Sequence, residues 1–237
     1  MEKVNINKLS SLTLFFPFYN EEENIVKVVE SAIDIANKVA LKYEVLAIDD
    51  GSRDNTPKLA DELAMKYPGV VKAIHNNPNK GYGGAVKAGY ENAQNDWIFS
   101  SDGDGQFNLE ELVNFIPYTK ENDAVIGYRI KRADPFFRLI NAKLWALFIR
   151  VLFGLKVNDI DCAFKLINKK VIDSFDFKSD GATVTAELLV MTNRNGFKIQ
   201  EVGVNHYPRQ AGTATGANPK VIIKAFKNAL ILKQAIH

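Results

Sequence analysis

The alternation of strand-like and helix-like segments restricts the fold of this chain more than any other feature of its sequence. Residues 12–16, 44–48 and 97–100 are rich in apolar, β-branched or aromatic side chains and favour strands, whereas residues 25–40 have helical periodicity. Strands and helices that alternate at this spacing form right-handed βαβ units around one sheet. We therefore predict an α/β fold with a mainly parallel central sheet.

The same patterns predict the remaining elements. Pro17 should end the first strand, Thr56 should cap the second helix, and Asn108 should cap a short helix further on. The glycine-rich stretch 81–84 lacks the spacing of a dinucleotide-binding fingerprint, so it is interpreted as the entry of a helix near a nucleotide. Further helices are predicted at 57–66, 81–95, 108–116, 138–153, 183–194 and from 219 onward, and further strands at 70–74, 124–126, after 159–165, and 197–206.

Polar clusters follow four of the predicted strands. They occupy positions 19–21, 49–54, 102–106 and 128–129. In open α/β sheets, ligands bind beyond the carboxyl ends of the strands, where such clusters meet. The connectivity therefore predicts one binding site along that edge.

Two carboxylates spaced one residue apart, Asp102 and Asp104, stand among glycines directly after the strand at 97–100. A loop that leaves a strand can turn both side chains toward one point, and glycines let a ligand approach the backbone. One or two carboxylates, completed by phosphate and water, are the usual way to hold Mg²⁺. The alternative interpretation is a solvated turn, which the same residues also favour.

The charge of the chain is unevenly distributed. Residues 1–127 carry 12 Lys or Arg against 20 Asp or Glu, whereas residues 128–237 carry 18 against 8. This asymmetry predicts that the second half faces something anionic, either phosphates or a membrane surface, although a solvated basic face remains an alternative. No nucleic acid partner is expected.

The compartment and the domain organisation follow from a few further observations. The single cysteine, Cys162, excludes an internal disulfide and suits a reducing compartment. Residues 1–11 lack the apolar core of a signal peptide, and no apolar run reaches the roughly 20 residues that span a bilayer. We expect a cytoplasmic protein with one domain at 1–212 and a C-terminal amphipathic helical extension of the same domain at 213–237.

Two helical segments of the second half could contact a membrane. Residues 138–153 are apolar nearly all round, which fits either a buried core helix or an interfacial helix flanked by basic residues. The predicted tail helix carries Lys220, Lys224 and Lys227 on one face. We therefore expect peripheral association with the cytoplasmic face of a membrane, directly or through a membrane-anchoring partner protein.

Three motifs in this order resemble the inverting family 2 glycosyltransferases of the GT-A fold. Residues 17–21 read Pro-Phe-Tyr-Asn-Glu, residues 49–56 read Asp-Asp-Gly-Ser-Arg-Asp-Asn-Thr, and residues 102–106 read Asp-Gly-Asp-Gly-Gln. Within that family the sequence is most similar to the dolichyl- or polyprenyl-phosphate hexose synthases, such as the mannose synthases. The resemblance covers residues 12–212 and implies a Rossmann-like three-layer sandwich.

The resemblance also implies an activity. Members transfer one hexose from a nucleoside diphosphate sugar, of the GDP-mannose or UDP-glucose type, to a polyprenyl or dolichyl phosphate with Mg²⁺ or Mn²⁺. The Gln-x-x-Arg-Trp motif of processive relatives is missing from the sequence, so one sugar per turnover is expected.

Residue roles are carried over from the resemblance position by position. The nucleoside would be held by Pro17, Tyr19, Glu21, Ile48 and Asp50. The sugar or ribose would lie near Asp102 and Gly103, and the metal ligands would be Asp102, Asp104 and Gln106. The acceptor phosphate would be bound by Arg129 and Arg138, and the diphosphate would be covered by Arg209. The catalytic set would be Asp102, Asp104, Arg129 and Asp161.

The nature of the acceptor decides whether a base is needed. A phosphate monoester has a second pKa near ~6 and is already nucleophilic at neutral pH. A hydroxyl acceptor needs a general base, and Asp161 is the available carboxylate unless it is a turn residue bonded to the backbone. The alternatives are therefore a family 2 transferase acting on a sugar or protein hydroxyl, or a nucleotide-binding module without turnover.

Overall fold

The structure is a computed structural model that describes residues 7–130, 136–179, 181, 183–209 and 219–235; the side chains of 136–142 and 219–224 lie outside the description. Its seven strands are Leu9–Phe18 (β1), Ala40–Asp49 (β2), Val71–His75 (β3), Trp97–Ser100 (β4), Ala124–Arg129 (β5), Lys165–Asn168 (β6) and Ile199–Val204 (β7). Its helices are Ile25–Val39 (α1), Thr56–Lys66 (α2), Gly81–Asn92 (α3), Phe136–Phe153 (α4), Lys169–Ile172 (α5), Thr183–Arg194 (α6) and Pro219–Ala235 (α7).

The strands form one sheet in the order β3-β2-β1-β4-β6-β5-β7. All neighbouring pairs are parallel except those of β6, which runs antiparallel to both β4 and β5. The predicted α/β fold with a mainly parallel sheet is confirmed. The reversal of β6 places its first residue, Lys165, beside Ser100 and Ile126, at the edge where β4 ends.

Helices cover both faces of the sheet, as a three-layer sandwich requires. On one face, Leu12, Leu14 and Phe16 of β1 pack with α1, α2 and two 3-10 segments, Leu109–Asn114 and Ile116–Lys120. On the other face, Phe15 of β1 joins residues of α3, α4, α6 and α7. The alternation of β1 side chains between two apolar layers follows from the two-residue period of a strand.

The prediction that Pro17 ends the first strand is wrong. Strand β1 continues to Phe18, and Pro17 pairs with Ile48 of β2. On its other side, β4 pairs only as far as Phe15, whose carbonyl oxygen accepts from the Ser101 backbone N–H. Since backbone groups alternate between neighbours, the missing N–H of Pro17 faces the side beyond the end of β4, where no ladder bond is lost.

Two of the predicted caps have different outcomes. Thr56 does not cap α2, because it is the first helical residue and its hydroxyl accepts from the backbone N–H of Glu21 at 2.8 Å. Asn108 caps the next segment as predicted, since its side chain accepts from the Glu110 backbone N–H at 3.1 Å. That segment is a 3-10 helix rather than an α-helix.

Helix α4 is buried on one side and exposed on the other, so the core alternative holds for its inner side and the interfacial alternative stays a prediction. Trp145 and Ile149 are buried in the core, whereas Leu144, Leu147 and Val151 are 54%, 57% and 78% exposed. We call these three residues the outer stripe of α4. Of the helices in the described ranges, none is long and apolar enough to cross a membrane.

Helix α7 packs against α4 and α6, with Ala229 and Leu232 buried and Phe226 5.2 Å from Trp145 between ring centroids. The proposed boundary between a domain and an extension at residue 212 lies outside the described residues, as do the side chains of Lys220 and Lys224. The division into a domain and an extension therefore stays a prediction.

Candidate active site

The carboxyl ends of β1, β2, β4 and β5 lie along one edge of the sheet, because these strands all run in the same direction. Hydrogen bonds join the loops that follow the first two strands. The Asn20 backbone N–H donates to Ser52 Oγ at 2.9 Å, and the Arg53 backbone N–H donates to Asn20 Oδ1 at 2.8 Å. The loops after β1 and β2 therefore form one connected surface.

The Asp50 carboxylate on that surface is held in place by two hydrogen bonds from the protein. Its carboxylate is buried, and its Oδ1 accepts from Asn76 Nδ2 at 2.9 Å and from the Lys80 backbone N–H at 3.0 Å. These bonds fix the orientation of the carboxylate, so that Oδ2 can accept from a ligand N–H. Tyr19, the residue that follows β1, is 41% exposed, so its ring is available for stacking.

Three other residues predicted to bind the nucleoside are less exposed than Tyr19. Ile48 is fully buried in the apolar layer that contains α3, so its side chain lies in the core rather than at the surface. Pro17 is partly buried and lines a small cavity beside β4. Glu21 is buried, and burial raises its pKa although hydrogen bonds from Asn24 and Arg209 oppose the shift.

The carboxylates of Asp102 and Asp104 lie close enough for their negative charges to repel each other. Burial, and next the negative charge of Asp104, raise the pKa of Asp102 to about 6, while a hydrogen bond with Tyr82 opposes the rise. Gly103, between them, lets the Phe18 ring pack against the backbone, since a Cβ there would lie 2.5 Å from that ring. A divalent cation would relieve this repulsion between like charges, so the pair fits a metal.

The rest of the predicted metal set also has suitable chemistry. Gln106 donates from Nε2 to the Tyr207 carbonyl oxygen at 2.8 Å, which leaves its oxygen Oε1 as the atom for a cation. Across the described ranges, no group of three or more His, Cys, Asp or Glu side chains is gathered around one point. A Mg²⁺ site built from one or two carboxylates with substrate phosphates and water needs no such group.

Arg209 connects the end of β7 to this edge. The guanidinium forms an ion pair with Glu21, and its Nη1 lies 3.5 Å from Asp104 Oδ2. The backbone between is held by the Tyr207 N–H, which donates to the Gln106 carbonyl oxygen at 2.9 Å. Arg209 therefore lies beside the carboxylates, as expected for a residue that would contact a diphosphate. Residues 210–218, which follow it, lie outside the described residues.

Arg129 forms an ion pair with Asp159, which the sequence analysis did not predict. Its Nε donates to Asp159 Oδ2 at 2.6 Å and its Nη2 to Asp159 Oδ1 at 2.8 Å, with side chains only 10% and 9% exposed. Burial alone would lower the pKa of Arg129, but the hydrogen bonds and charge of Asp159 raise it above its usual value. Arg138 lies in the first turn of α4, and its side chain is outside the described residues.

Asp161 lies on the loop between α4 and β6. The indole Nε1 of Trp145 donates to its Oδ1 at 3.1 Å. The surrounding protein limits the contact of the Asp161 carboxylate with water, and this desolvation raises its pKa. The charge of Asp159 adds to the rise, while Arg129 opposes it. Lys165 fixes this loop, because its buried ammonium donates to the carbonyl oxygens of Ile160 and Cys162.

Sequence reasoning missed four side chains of this edge: Asn76, Tyr82, Asp159 and Lys165. Asn76 directly follows β3, so the rule that strand ends carry ligand groups could have included it, whereas Tyr82 lies in the first turn of α3. Asp159 and Lys165 depend on the antiparallel insertion of β6 between β4 and β5, and no local pattern reports that pairing.

An α/β sheet whose strand ends gather paired carboxylates, an ordered aspartate on the neighbouring loop and a nearby guanidinium is suited to nucleotides and their phosphates. The comparison with known families agrees with this class. The chain belongs to glycosyl transferase family 2, whose profile matches residues 13–175.

Two relatives have names that describe lipid-phosphate chemistry. The undecaprenyl-phosphate 4-deoxy-4-formamido-L-arabinose transferase of Proteus mirabilis is 28% identical over 216 residues, which cover 91% of this chain and 65% of that protein. The polyprenol monophosphomannose synthase of Mycolicibacterium smegmatis is 28% identical over 233 residues, 91% of this chain and 84% of that protein. The chain spans just under two thirds of the length of the arabinose transferases that it matches.

The fold is shared with solved structures. The glucosyl-3-phosphoglycerate synthase of Mycobacterium tuberculosis, in complex with Mn²⁺ and UDP-glucose, superposes with a TM-score of 0.70 at 18% identity. The match covers 94% of this chain and 79% of that one. At this identity the similarity establishes the fold alone, and it confirms the predicted GT-A architecture.

Proposed function

We propose that this protein is an inverting glycosyltransferase that moves one hexose from a nucleoside diphosphate sugar to a polyprenyl phosphate, with help from Mg²⁺ or Mn²⁺. The observation that carries the proposal is that the sheet edge with the Asp102 and Asp104 carboxylates lies next to α4. Trp145 on the inner side of that helix is bonded to Asp161, while the outer stripe exposes three apolar side chains. Family membership and the names of the two relatives support the same reaction.

On the donor side, the base would be recognised by Asp50 and Tyr19, with Asn76 holding the Asp50 carboxylate in place. Asp102, Asp104 and Gln106 would hold the metal. A bound divalent cation would neutralise the charge that builds on the nucleoside diphosphate as it leaves. Arg209 would add a second positive charge to the diphosphate, because it already lies beside Asp104.

On the acceptor side, the lipid phosphate would attack the anomeric carbon from the side of the β5 end. Arg129 and Arg138 would bind its oxygens, and Asp159 would keep the Arg129 guanidinium in one orientation. Because a phosphate monoester is largely dianionic at neutral pH, the protein needs to position it rather than deprotonate it. Binding of the two substrates in line would supply much of the rate enhancement.

A second candidate is transfer to a hydroxyl group, and Asp161 is the observation that favours it. A carboxylate with a raised pKa, held in one orientation by Trp145, has the character of a general base. In this case polyprenyl phosphate would not accept the sugar, and Asp161→Asn would abolish transfer. If a phosphate is the acceptor, Asp161→Asn should retain most of the activity.

The deciding experiment incubates the protein with GDP-mannose, UDP-glucose and other sugar nucleotides, together with a short polyprenyl phosphate and Mn²⁺. We expect one donor to yield a polyprenyl phosphate hexose, detected by mass spectrometry, and expect chelation of the metal to stop the reaction. The matched control is the same polyprenol without its phosphate, which should accept nothing.

Two outcomes would overturn the proposal. Transfer to hydroxyl acceptors but never to the lipid phosphate would establish the second candidate. Thermal stabilisation by a nucleoside diphosphate and Mn²⁺, without transfer from any donor, would indicate a nucleotide-binding module.

We further propose that the protein is cytoplasmic and associates peripherally with a membrane through the outer stripe of α4. The exposed cations Lys143, Arg150 and Lys227 lie on α4 and on its neighbour α7. Each cation near an anionic leaflet contributes about 1 kcal/mol, and the stripe would add apolar insertion. A separate membrane-anchoring protein could serve the same purpose.

Sedimentation with liposomes tests this association. More protein should pellet with anionic than with neutral vesicles, and high salt or replacement of Lys143, Arg150 and Lys227 by glutamate should reduce the pellet. As a control, Lys58→Glu on the distant helix α2 should pellet like the unchanged protein. A protein that stays in the supernatant with every lipid composition would favour the separate anchor.

A further inference from the structure

A small cavity with a mixed polar and apolar lining lies beside the loop that carries Asp102 and Asp104, between the ends of β1 and β4 and the helices α3 and α6. It leaves about 10 Å³ for the centre of a water-sized molecule. That is close to the smallest space that holds one water. Its polar lining is contributed by Tyr82, Tyr90, Ser100, Ser101, Lys165 and Thr185.

Ser101, the residue before Asp102, has a hydroxyl group that is buried in this lining. The residue is 1% exposed, and its Oγ has no hydrogen-bond partner among the residues that the structure describes. An unsatisfied buried hydroxyl destabilises a fold by the lost solvation of that group, so native proteins nearly always provide a partner. The cavity is the place from which a partner can come.

Lys165 brings a second incomplete hydrogen-bonding group to the same cavity. The residue is 2% exposed, and its ammonium group donates to two carbonyl oxygens, those of Ile160 and Cys162. An ammonium has three N–H groups, so one donor remains without a partner in the described part of the chain. Burial lowers the pKa of Lys165, and the neighbouring Cys162 and carboxylates oppose that shift.

We infer that this cavity is a subsite for one hydroxyl-sized oxygen, which accepts from Lys165 and exchanges a hydrogen bond with Ser101. The oxygen belongs either to a hydroxyl group of the donor sugar or to a bound water. The sugar source rests on the proposed function, because the subsite adjoins Asp102, which would lie near the sugar. The water source does not depend on that function.

Occupation of the subsite would connect the two halves of the site. Ser101 precedes the metal-binding carboxylates, whereas Lys165 holds the two carbonyl groups that flank Asp161. An oxygen between them would couple the donor loop to the acceptor loop through two hydrogen bonds. Ser101 and Lys165 are thus positioning residues, since they act through the loops that they hold.

Crystallography of the protein, alone and with a sugar nucleotide, tests occupancy directly. Soaks with UDP-glucose and with GDP-mannose are the probes. An ordered oxygen within hydrogen-bonding distance of Lys165 Nζ and Ser101 Oγ supports the inference, and its identity as water or sugar hydroxyl in the soaked crystal gives the source. If no crystal, soaked or unsoaked, shows electron density in the cavity, the inference is wrong.

Kinetics with substituted serines give an independent test. Ser101→Ala should lower kcat/KM about tenfold, the effect of one hydrogen bond of ordinary strength. Ser179→Ala is the matched control, because Ser179 is also a buried serine with an unpartnered Oγ in the described residues but does not line the cavity. Equal kinetics of the two variants would contradict the inference.

Singly deoxygenated donors separate the two sources. If a sugar hydroxyl fills the subsite, one deoxy donor should lose about tenfold in kcat/KM with the unchanged protein and nothing more with Ser101→Ala. If water fills the subsite, the loss in kcat/KM for each deoxy donor should be the same with the unchanged protein as with Ser101→Ala. A protein that transfers no sugar would refute the proposed function, while the crystals would still decide whether the cavity is occupied.

Discussion

Glu44 and Asp102 are both carboxylates that folding removes from bulk water, but they lie at opposite edges of the sheet. Glu44 lies where β3 and β4 begin, and accepts from Thr13 Oγ1 and Lys72 Nζ at 2.7 Å each and from the Gln94 backbone N–H at 3.0 Å. Burial alone would raise the pKa of Glu44, yet these bonds lower it. At Asp102, burial and Asp104 together raise the pKa to about 6.

Burial raises the pKa of both carboxylates. Hydrogen bonds outweigh that effect at Glu44, whereas at Asp102 the charge of Asp104 adds to it. A compensated carboxylate stabilises the fold, whereas an uncompensated pair persists where it has a ligand to bind. The comparison predicts a stabilising role for Glu44 and a ligand-binding role for the Asp102–Asp104 pair. Each of the following substitutions tests that prediction.

The largest effect is expected for Asp104→Asn. In the proposed reaction Asp104 holds the metal, so its loss should reduce sugar transfer by roughly a thousandfold or more, equivalent to several kcal/mol of transition-state stabilisation. The melting temperature should stay the same or rise, because one member of a repelling pair is neutralised. Near-normal transfer in saturating Mn²⁺ would remove Asp104 from the metal ligands.

Glu44→Ala should show the opposite profile. It leaves Thr13, Asn95 and the Gln94 N–H without their common acceptor, so the free energy of unfolding should fall by about 2–3 kcal/mol. Transfer per folded molecule should be unchanged. Denaturant titration measures the first and specific activity the second.

The control for Glu44 is Glu30→Ala, which breaks an exposed pair with Lys66. That substitution should cost less than about 1 kcal/mol. A similar loss of stability in both variants would show that the buried network at Glu44 has no special contribution.

Arg129→Lys tests a compensated ion pair that lies at the functional edge. Lysine cannot reproduce two parallel bonds to Asp159 and also offer further N–H groups to a phosphate, so transfer should fall roughly 10- to 100-fold. If the acceptor is the proposed lipid phosphate, the loss should be largest in its KM. Arg194→Lys, at an exposed position on α6, is the matched control and should leave the kinetics unchanged.

The smallest effect, and the sharpest test of the comparison, is the pH dependence of stability. The folded pKa of Glu44 is lowered, so its contribution is present above the unfolded value of 4.5 and is lost as pH falls through the folded value. The folded pKa of Asp102 is raised from 3.8 to about 6, so stability is lost as pH rises through about 6.

The two isosteric variants should therefore behave in opposite ways in unfolding experiments between pH 4 and 8. Asp102→Asn should gain on the order of 1 kcal/mol at pH 8 and little at pH 4, a magnitude reduced for its partial exposure. Glu44→Gln should be destabilised at pH 8, with a deficit that shrinks toward pH 4. Parallel curves for the two variants would refute the distinction between the edges.

The sequence predicted which side chains follow the strand ends better than it predicted the partners of those side chains. Asp50, Asp102 and Asp104 follow strands directly, and the position of a strand end can be read from local periodicity. The pairing of Arg129 with Asp159 could not be predicted, because it depends on the direction of the four-residue strand β6. Pro17 and Thr56 were misjudged for a related reason, since their neighbours in space are distant in sequence.

The two tryptophans of the chain divide between the same two edges. Trp97 begins β4 at the edge shared with Glu44, whereas Trp145 donates its indole N–H to Asp161. Indole emission responds to a charge placed next to the ring, so Trp145 is a built-in optical reporter of what reaches Asp161. After Trp97→Phe, the remaining fluorescence would come from that single indole. In the proposed reaction, the arrival of an acceptor at Asp161 could then be followed in real time without any attached dye.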